Sequence, residues 1–318
     1  VVDIQARRAA HSGVTLDTAV GRYAAAHEIT WAIALEEIHK VQSDDSGVGL
    51  ERQAWTATAS LFVCLVRTVI QAYTEEIDRQ RQTQQGHNRM LVTRLLTGET
   101  GIEGTDVDYD LHGHHLGVIA TGKNVSAALA LLAAGLDCQL LADEREQGMV
   151  WAWLGRKTCI AIDDVARCLK QGAYADVRLT VGRSEEGISG IRLTHKQAQA
   201  ALRVAQLQPR RLTCYADVEP LGFILQDDDL AQSLITTYIE PIVQHRDGPV
   251  LLNTLQTFFA NAQNRVKTAK ALPGDRHTVT SHLKRIEELL GCTLCADQAK
   301  VELALKVYEL WKSSEYIA

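Results

Sequence analysis

Apolar residues recur every three or four positions along the first hundred residues, a helical period, with almost no strand-like alternation. Thr15-Leu-Asp-Thr opens a helix whose face carries Tyr23, His27, Trp31, Leu35 and Ile38. Asp44-Asp45-Ser46-Gly47 reads as a loop. A far longer helical pattern follows from about Leu50 to Leu96, with Phe62, Leu65, Val69, Tyr73 and Ile77 on one side. Its middle, Arg79 to His87, is wholly polar, and is either a loop between two helices or a solvated rod. The glycine-rich stretch Thr97 to Gly104 closes the segment.

From about Leu111 to His245 the pattern alternates between the two periods. Strands are expected at His115–Thr121, Leu136–Leu141, Met149–Leu154, Val177–Val181 and Leu212–Tyr215. Helices are expected at Ser126–Ala134, Asp163–Lys170, His195–Ala205 and Asp229–Ile239. The order implies an α+β domain with a mostly antiparallel or mixed sheet. Asp227-Asp-Asp229 is placed to cap the last of these helices. From about Gly248 the helical period returns. An amphipathic helix covers Leu251–Phe259, and a short one covers Arg265–Leu272 before Pro273-Gly274-Asp275. Asp275 is positioned to cap a helix over Arg276–Leu290 that buries Val279, Leu283, Ile286 and Leu289. A terminal helix is expected at Ala299–Trp311, and no internal repeat emerges.

Length and composition narrow the class. The 318 residues suffice for two or three domains with buried cores. At 46% hydrophobic and 23% charged residues, disorder and collagen-like order are excluded. Seven scattered cysteines make no disulfide framework and fit a reducing cytoplasm. No membrane span is expected, because Ala127–Ala134 is short and Arg67 interrupts the run from Leu61 to Ile70. No signal peptide is visible, and a first residue of Val rather than Met leaves room for preceding sequence.

Charge changes the picture at one place. Between Asn261 and Ile286 stand six Lys/Arg against the single acid Asp275, net +5 in a chain of net −6. The remaining residues therefore carry −11, so the basic charge is focused rather than general. The two helices around the Pro273–Asp275 turn have helix–turn–helix spacing, and Ala269 is small enough for close approach at the crossing. The second helix keeps Arg276, His277, Thr278, Thr280, Ser281, Lys284 and Arg285 off its buried face, donors suited to base edges and phosphates. The alternative is a solvated face on an ordinary helical hairpin.

Other clusters carry less. Cys292-Thr-Leu-Cys295 has the spacing of a zinc or redox pair but no second pair nearby. His112-Gly-His-His115 lacks accompanying carboxylates or cysteines and reads as entry to a strand. No nucleophile elbow, P-loop or dinucleotide fingerprint occurs. Thus no catalytic residue, metal site or cofactor is expected. The Tyr23, Trp31, Leu35 stripe is either core or the lining of an effector pocket.

The segments Leu251–Phe259, Thr268-Ala-Lys-Ala-Leu272 and Arg276-His-Thr-Val … Leu283-Lys-Arg-Ile-Glu-Glu-Leu-Leu-Gly291 resemble the C-terminal helix–turn–helix of PucR/CdaR bacterial transcriptional regulators. His114-His-Leu-Gly-Val-Ile, Trp151-Ala-Trp-Leu-Gly and Val181-Gly-Arg resemble that family's degenerate GGDEF-like domain. Gly21-Arg-Tyr and Trp31 are similar to an RsbRD-type helical domain. The chain departs from the family at the Pro273-Gly274-Asp275 turn and at His277, where Asn is usual, which leaves the target sequence open.

The resemblance implies a multidomain regulator. An all-α N-terminal domain (1–97) would sense or relay a signal, an α+β GGDEF-like domain (98–245) would connect and dimerise, and an all-α helix–turn–helix domain (246–318) would bind double-stranded DNA. Arg276, His277, Thr280 and Ser281 are the expected base-contacting residues, and Arg265, Lys267, Lys284 and Arg285 the phosphate-contacting ones. A cytoplasmic homodimer is expected, with an unknown small-molecule effector and no membrane partner. The alternatives are a stress-signalling scaffold without DNA binding, and residual nucleotide binding or cyclase activity. Against the latter, Glu144-Arg-Glu-Gln-Gly148 lacks a cyclase's Gly-Gly turn and ordered acidic pair.

Overall fold

The computed structural model describes residues 1–41, 47–99, 109–145, 148–170, 174–273 and 275–315. Among these the chain forms thirteen helices and five strands. By contacts it divides into two compact units, Val1–Asn88 and Arg89–Ala318.

The first unit is a set of three helices: α1 (Val2–His11), α2 (Leu16–Val41) and α3 (Gly47–Thr97), whose last turns belong to the second unit. Helix α1 is unexpected, and a Gly13 at φ 71° turns the chain from it toward α2. Thr15 Oγ1 accepts from the Thr18 amide at 3.3 Å, satisfying an orphan donor where α2 begins. The expected α2 face is half-buried throughout, with Trp31 on Trp55 at 4.9 Å and His27 on Phe62 at 4.7 Å. Helix α3 resolves the alternatives for Arg79–His87: the stretch is helical, part of a rod about 75 Å long. Gly47, expected in the loop, starts this helix, and the other loop residues lie outside the described ones. By length and composition α3 is long and apolar enough to cross a membrane, contrary to expectation, and Arg67 does not exclude it. One such helix does not by itself identify a membrane protein.

The second unit begins with a five-stranded sheet. Its elements are β1 (His114–Gly122), α4 (Val125–Gly135), β2 (Gln139–Glu144), β3 (Met149–Arg156), α5 (Ile162–Leu169), β4 (Val177–Glu186), α6 (Gly187–Leu207) and β5 (Leu212–Cys214). The order is β2-β3-β1-β4-β5, with only β4 and β5 parallel, so the sheet is mixed. Ile119 stands between Trp151 and Thr180 in the ladders. Period-two alternation splits β3 between faces: Val150, Ala152 and Leu154 join the core under α4 and α5, and Trp151 and Trp153 join Leu91, Val92, Leu95 and Ile191 opposite. Helix α6 lies close on the sheet at Gly117 and Gly182, where a Cβ would sit 2.8 and 2.3 Å from Thr194 backbone atoms.

Several boundaries differ from the sequence reading. The strand expected from Leu136 starts at Gln139, because Leu136–Cys138 form a turn with Asp137 at φ 51°. The same strand continues past the expected Leu141 to Glu144. Helix α6 starts eight residues before the expected His195.

The remaining elements are α7 (Tyr215–Ile224), α8 (Asp228–Tyr238), α9 (Glu240–Val243), α10 (Gly248–Ala260), α11 (Arg265–Ala271), α12 (Arg276–Leu290) and α13 (Gln298–Glu315). Helix α7, with Pro220 inside it, is unexpected. Asp227 caps α8 as expected, accepting from Asp229 N at 3.0 Å and Leu230 N at 3.1 Å. One apolar core extends from α6 to α13, through Ala201, Ile235, Leu255, Leu283, Ile286 and Val301.

Candidate nucleic-acid interface

Two helix caps frame the basic hairpin. Asn264 Oδ1 accepts from Val266 N at 3.0 Å and Lys267 N at 3.1 Å, which starts α11. Asp275 Oδ1 accepts from Thr278 N at 2.8 Å and Thr278 Oγ1 at 2.9 Å, which starts α12 at the expected residue. These bonds favour the ionised Asp275 and hold its carboxyl below the usual carboxylate range. Gly291 ends α12 in the left-handed region at φ 65°, where a side chain would be strained.

Packing fixes which side of each helix faces outward. Val279, Leu283 and Ile286 are buried and Leu289 half-buried, as the period requires, with α12 against α9, α10 and α11. On α11, Thr268 is buried and bonds back to Asn264 O at 2.9 Å, and Ala269 is half-buried. His282 is also drawn inward. Its Nδ1 lies 3.0 Å from Thr254 Oγ1, and because that hydroxyl donates to Val250 O at 2.8 Å, Nδ1 is the donor.

The surface left over holds the candidate residues. Arg265, Lys267, Arg276, His277, Ser281 and Lys284 are exposed. None of the ion pairs among the described residues includes Arg265, Lys267, Arg276 or Lys284. Two candidates are more constrained. Thr280 is half-buried and donates to Arg276 O at 2.8 Å. Arg285 pairs with Glu288 at 3.0 Å and lies 3.3 Å from His245 Nε2. Thr278, read as a surface donor, is held by its cap. Lys270, which belongs to the same basic count but was not among the site residues, is exposed on α11. The result is an exposed face with five cations that have no ion-pair partner among the described residues. Such a face attracts polyanions and makes binding depend on salt.

The remaining clusters show no comparable surface. Cys292 is half-buried, and burial with Asp297 raises its thiol pKa, the opposite of a reactive thiolate. His115 is buried, its Nδ1 2.8 Å from the Tyr109 hydroxyl and its Nε2 3.2 Å from Leu111 O. Both of its ring nitrogens are therefore engaged, which fits a strand-entry histidine. Among the described residues no group of three His, Cys, Asp or Glu is arranged to hold a metal ion. On the β2–β3 hairpin, Glu144 accepts from Ser126 Oγ at 2.5 Å, and Asp143 is buried beside Arg145. Glu146 lies outside the described residues.

Comparison with known proteins bears on both parts of the second unit. Residues 251–307 match the PucR C-terminal helix-turn-helix domain, and residues 104–204 match the GGDEF-like domain. No curated protein matches the chain. Among solved structures it is similar to a regulator of polyketide synthase expression from Bifidobacterium adolescentis. That match has 17% identity and a TM-score of 0.38, over 69% of this chain and 91% of that one. The chain thus carries a PucR-type helix–turn–helix domain and a GGDEF-like domain, and the first supports a DNA-binding transcriptional regulator.

Proposed function

We propose that this regulator couples a signal received by its helical N-terminal part to promoter binding by its C-terminal hairpin. The modules in this reading are 1–97 for sensing or relay, with the RsbRD resemblance, 98–245 as connector and dimerisation module, and 246–318 for DNA. The observation that carries it is the set of unpaired cations around the capped start of α12. The N-terminal half of a recognition helix enters the major groove deepest. Arg276, His277 and Ser281, together with the more constrained Thr280, then reach base edges. Arg265, Lys267, Lys284 and Arg285, with Lys270 added, meet phosphates. One such motif buries little surface, so a cytoplasmic homodimer on half-sites about 34–36 Å apart is the expected geometry.

The GGDEF-like domain serves here as a non-catalytic module, a reading supported by the missing Gly-Gly turn in Glu144-Arg-Glu-Gln-Gly148. Selection of bound fragments from genomic DNA tests the whole proposal, with Arg276→Ala and Lys267→Ala in parallel. A symmetric site should be enriched by the intact chain. Arg276→Ala should cost about 1–3 kcal/mol at the preferred site and relax preference there. Lys267→Ala should weaken all DNA alike and flatten the log–log salt slope by about 0.9. Equal loss of site preference in both variants would refute this division of roles, and no DNA affinity at low salt would favour the scaffold reading.

A further inference from the structure

A cavity of about 520 Å³ opens in the first unit between α1, α2 and α3. That volume lies within the range of small-molecule sites, roughly 300–1,000 Å³. Its floor is alkyl, made by the buried Ala6, Ala19 and Val69. Its rim is cationic, with Arg8 from α1 and Arg22 from α2, and the lining contains no carboxylate. The acids that reach α1 from α3 go to other arginines: Glu75 and Glu76 pair with Arg7, and Glu76 also pairs with Arg79. Neither Arg8 nor Arg22 belongs to any ion pair among the described residues. Tyr23 donates to Gln5 Oε1 at 2.9 Å, which orients the Gln5 amide and leaves its N–H₂ group as a donor. An apolar floor under a rim of guanidinium and amide donors is complementary to one ligand chemistry, a compact hydrocarbon body bearing an anionic head.

We infer that this cavity binds a small organic carboxylate, its head held by Arg8 and Arg22 and its body on Ala6, Ala19 and Val69. Guanidinium forks suit carboxylates because two parallel N–H donors match two oxygens. Of the aromatic stripe singled out in the sequence, only Tyr23 lines this cavity, since Trp31 packs on Trp55. This site would supply the signal in the reading above, but its binding step needs no DNA.

Calorimetric titration of the full chain with octanoate, octanamide and inorganic phosphate tests the inference. Octanoate should saturate at one per chain. Octanamide, lacking the charge, and phosphate, lacking the body, should each bind at least tenfold more weakly. Arg8→Ala/Arg22→Ala should weaken octanoate at least tenfold and leave octanamide nearly unchanged, whereas Arg8→Lys/Arg22→Lys should recover part of the loss. Ala26→Trp, at an exposed lining position, should block octanoate with helical circular dichroism unaltered. Octanoate binding that survives both the alanine pair and Ala26→Trp, or no octanoate binding to the folded chain, would overturn the site. Repeating the titration in Arg276→Ala separates the two readings. Octanoate binding there with DNA binding lost leaves the cavity standing, and DNA binding without octanoate binding removes only the cavity.

Discussion

The two units are both rich in long amphipathic helices, yet they bury very different things. In the first, the buried cluster is Ala6, Ala19, Val69 and Ala72, and Ile29, Ile33, Trp55, Leu61 and Val63 remain exposed. In the second, α10, α12 and α13 alone bury Leu251, Leu255, Leu283, Ile286, Val301 and Leu305. Charge follows a related contrast. Near the first unit's core Arg7 and Arg79 are paired with Glu75 and Glu76 while Arg8 and Arg22 are in no ion pair, whereas on α11 and at the start of α12 no cation has an ion-pair partner among the described residues. Alanine contacts let helices approach closely but remove little apolar area, so that unit depends more on helix propensity and local pairs. A thick aliphatic core instead holds a charged surface in one geometry. The helices thus look alike in sequence period while their stability has different sources.

The largest expected effect tests that contrast directly. Ile286 is fully buried between α12 and its neighbours, and Ile286→Ala should cost about 2–5 kcal/mol in urea unfolding. Val69→Ala removes two methyl groups from the thin core and should cost about 2 kcal/mol. Equal losses would show that the first unit is packed as tightly as the second. Because the units need not unfold together, each transition is followed separately.

A second test concerns charge inside the second unit. His195 is buried against Trp151 at 4.5 Å and Trp153 at 5.1 Å, with neither ring nitrogen hydrogen-bonded. Burial, and then the Arg145 charge, push its pKa down to about 4. The unfolded chain therefore binds a proton that the folded chain refuses between about pH 6.5 and 4. Stability must fall as pH drops through that window, by about 3 kcal/mol in total, and level off below it. His115, also lowered by burial, adds in the same direction. His195→Phe should flatten the acid limb of the stability curve, and an unchanged limb would place the loss on other groups.

These contrasts also explain what the sequence made legible. Helix α12 was readable to the residue because Asp275, Gly291 and the Val279–Leu283–Ile286 period all agree. Helix α1 was not, since its buried positions are Ala6 and Ala10, which carry little hydrophobic signal. Gly187 and Gly190 hid the start of α6, and Pro220 hid α7, although tertiary packing overrides both. The cations of the interface were visible as a charge count. Their engagement was less visible, because His245 reaches Arg285 from forty residues away. Of the cavity only Tyr23 was legible, as part of the stripe read as either core or pocket lining, because three separate helices build the rest.

The smallest effect separates two neighbouring cations by their partners. Lys284 is exposed and unpaired, whereas Arg285 is tied to Glu288 at 3.0 Å. An exposed i,i+3 pair is worth only a few tenths of a kcal/mol, so Arg285 is not locked away. To meet a phosphate, however, it must share its charge with a carboxylate that repels the same phosphate. Lys284→Ala should therefore lower the magnitude of the salt slope by about 0.9, the value for one full phosphate contact. Arg285→Ala should lower it by clearly less, and Glu288→Gln should raise DNA affinity more when Arg285 is present than when it is replaced by Ala. Equal slopes for Lys284→Ala and Arg285→Ala would mean that Arg285 leaves Glu288 on binding. The distinction between paired and free cations would then fail at the surface where it matters most.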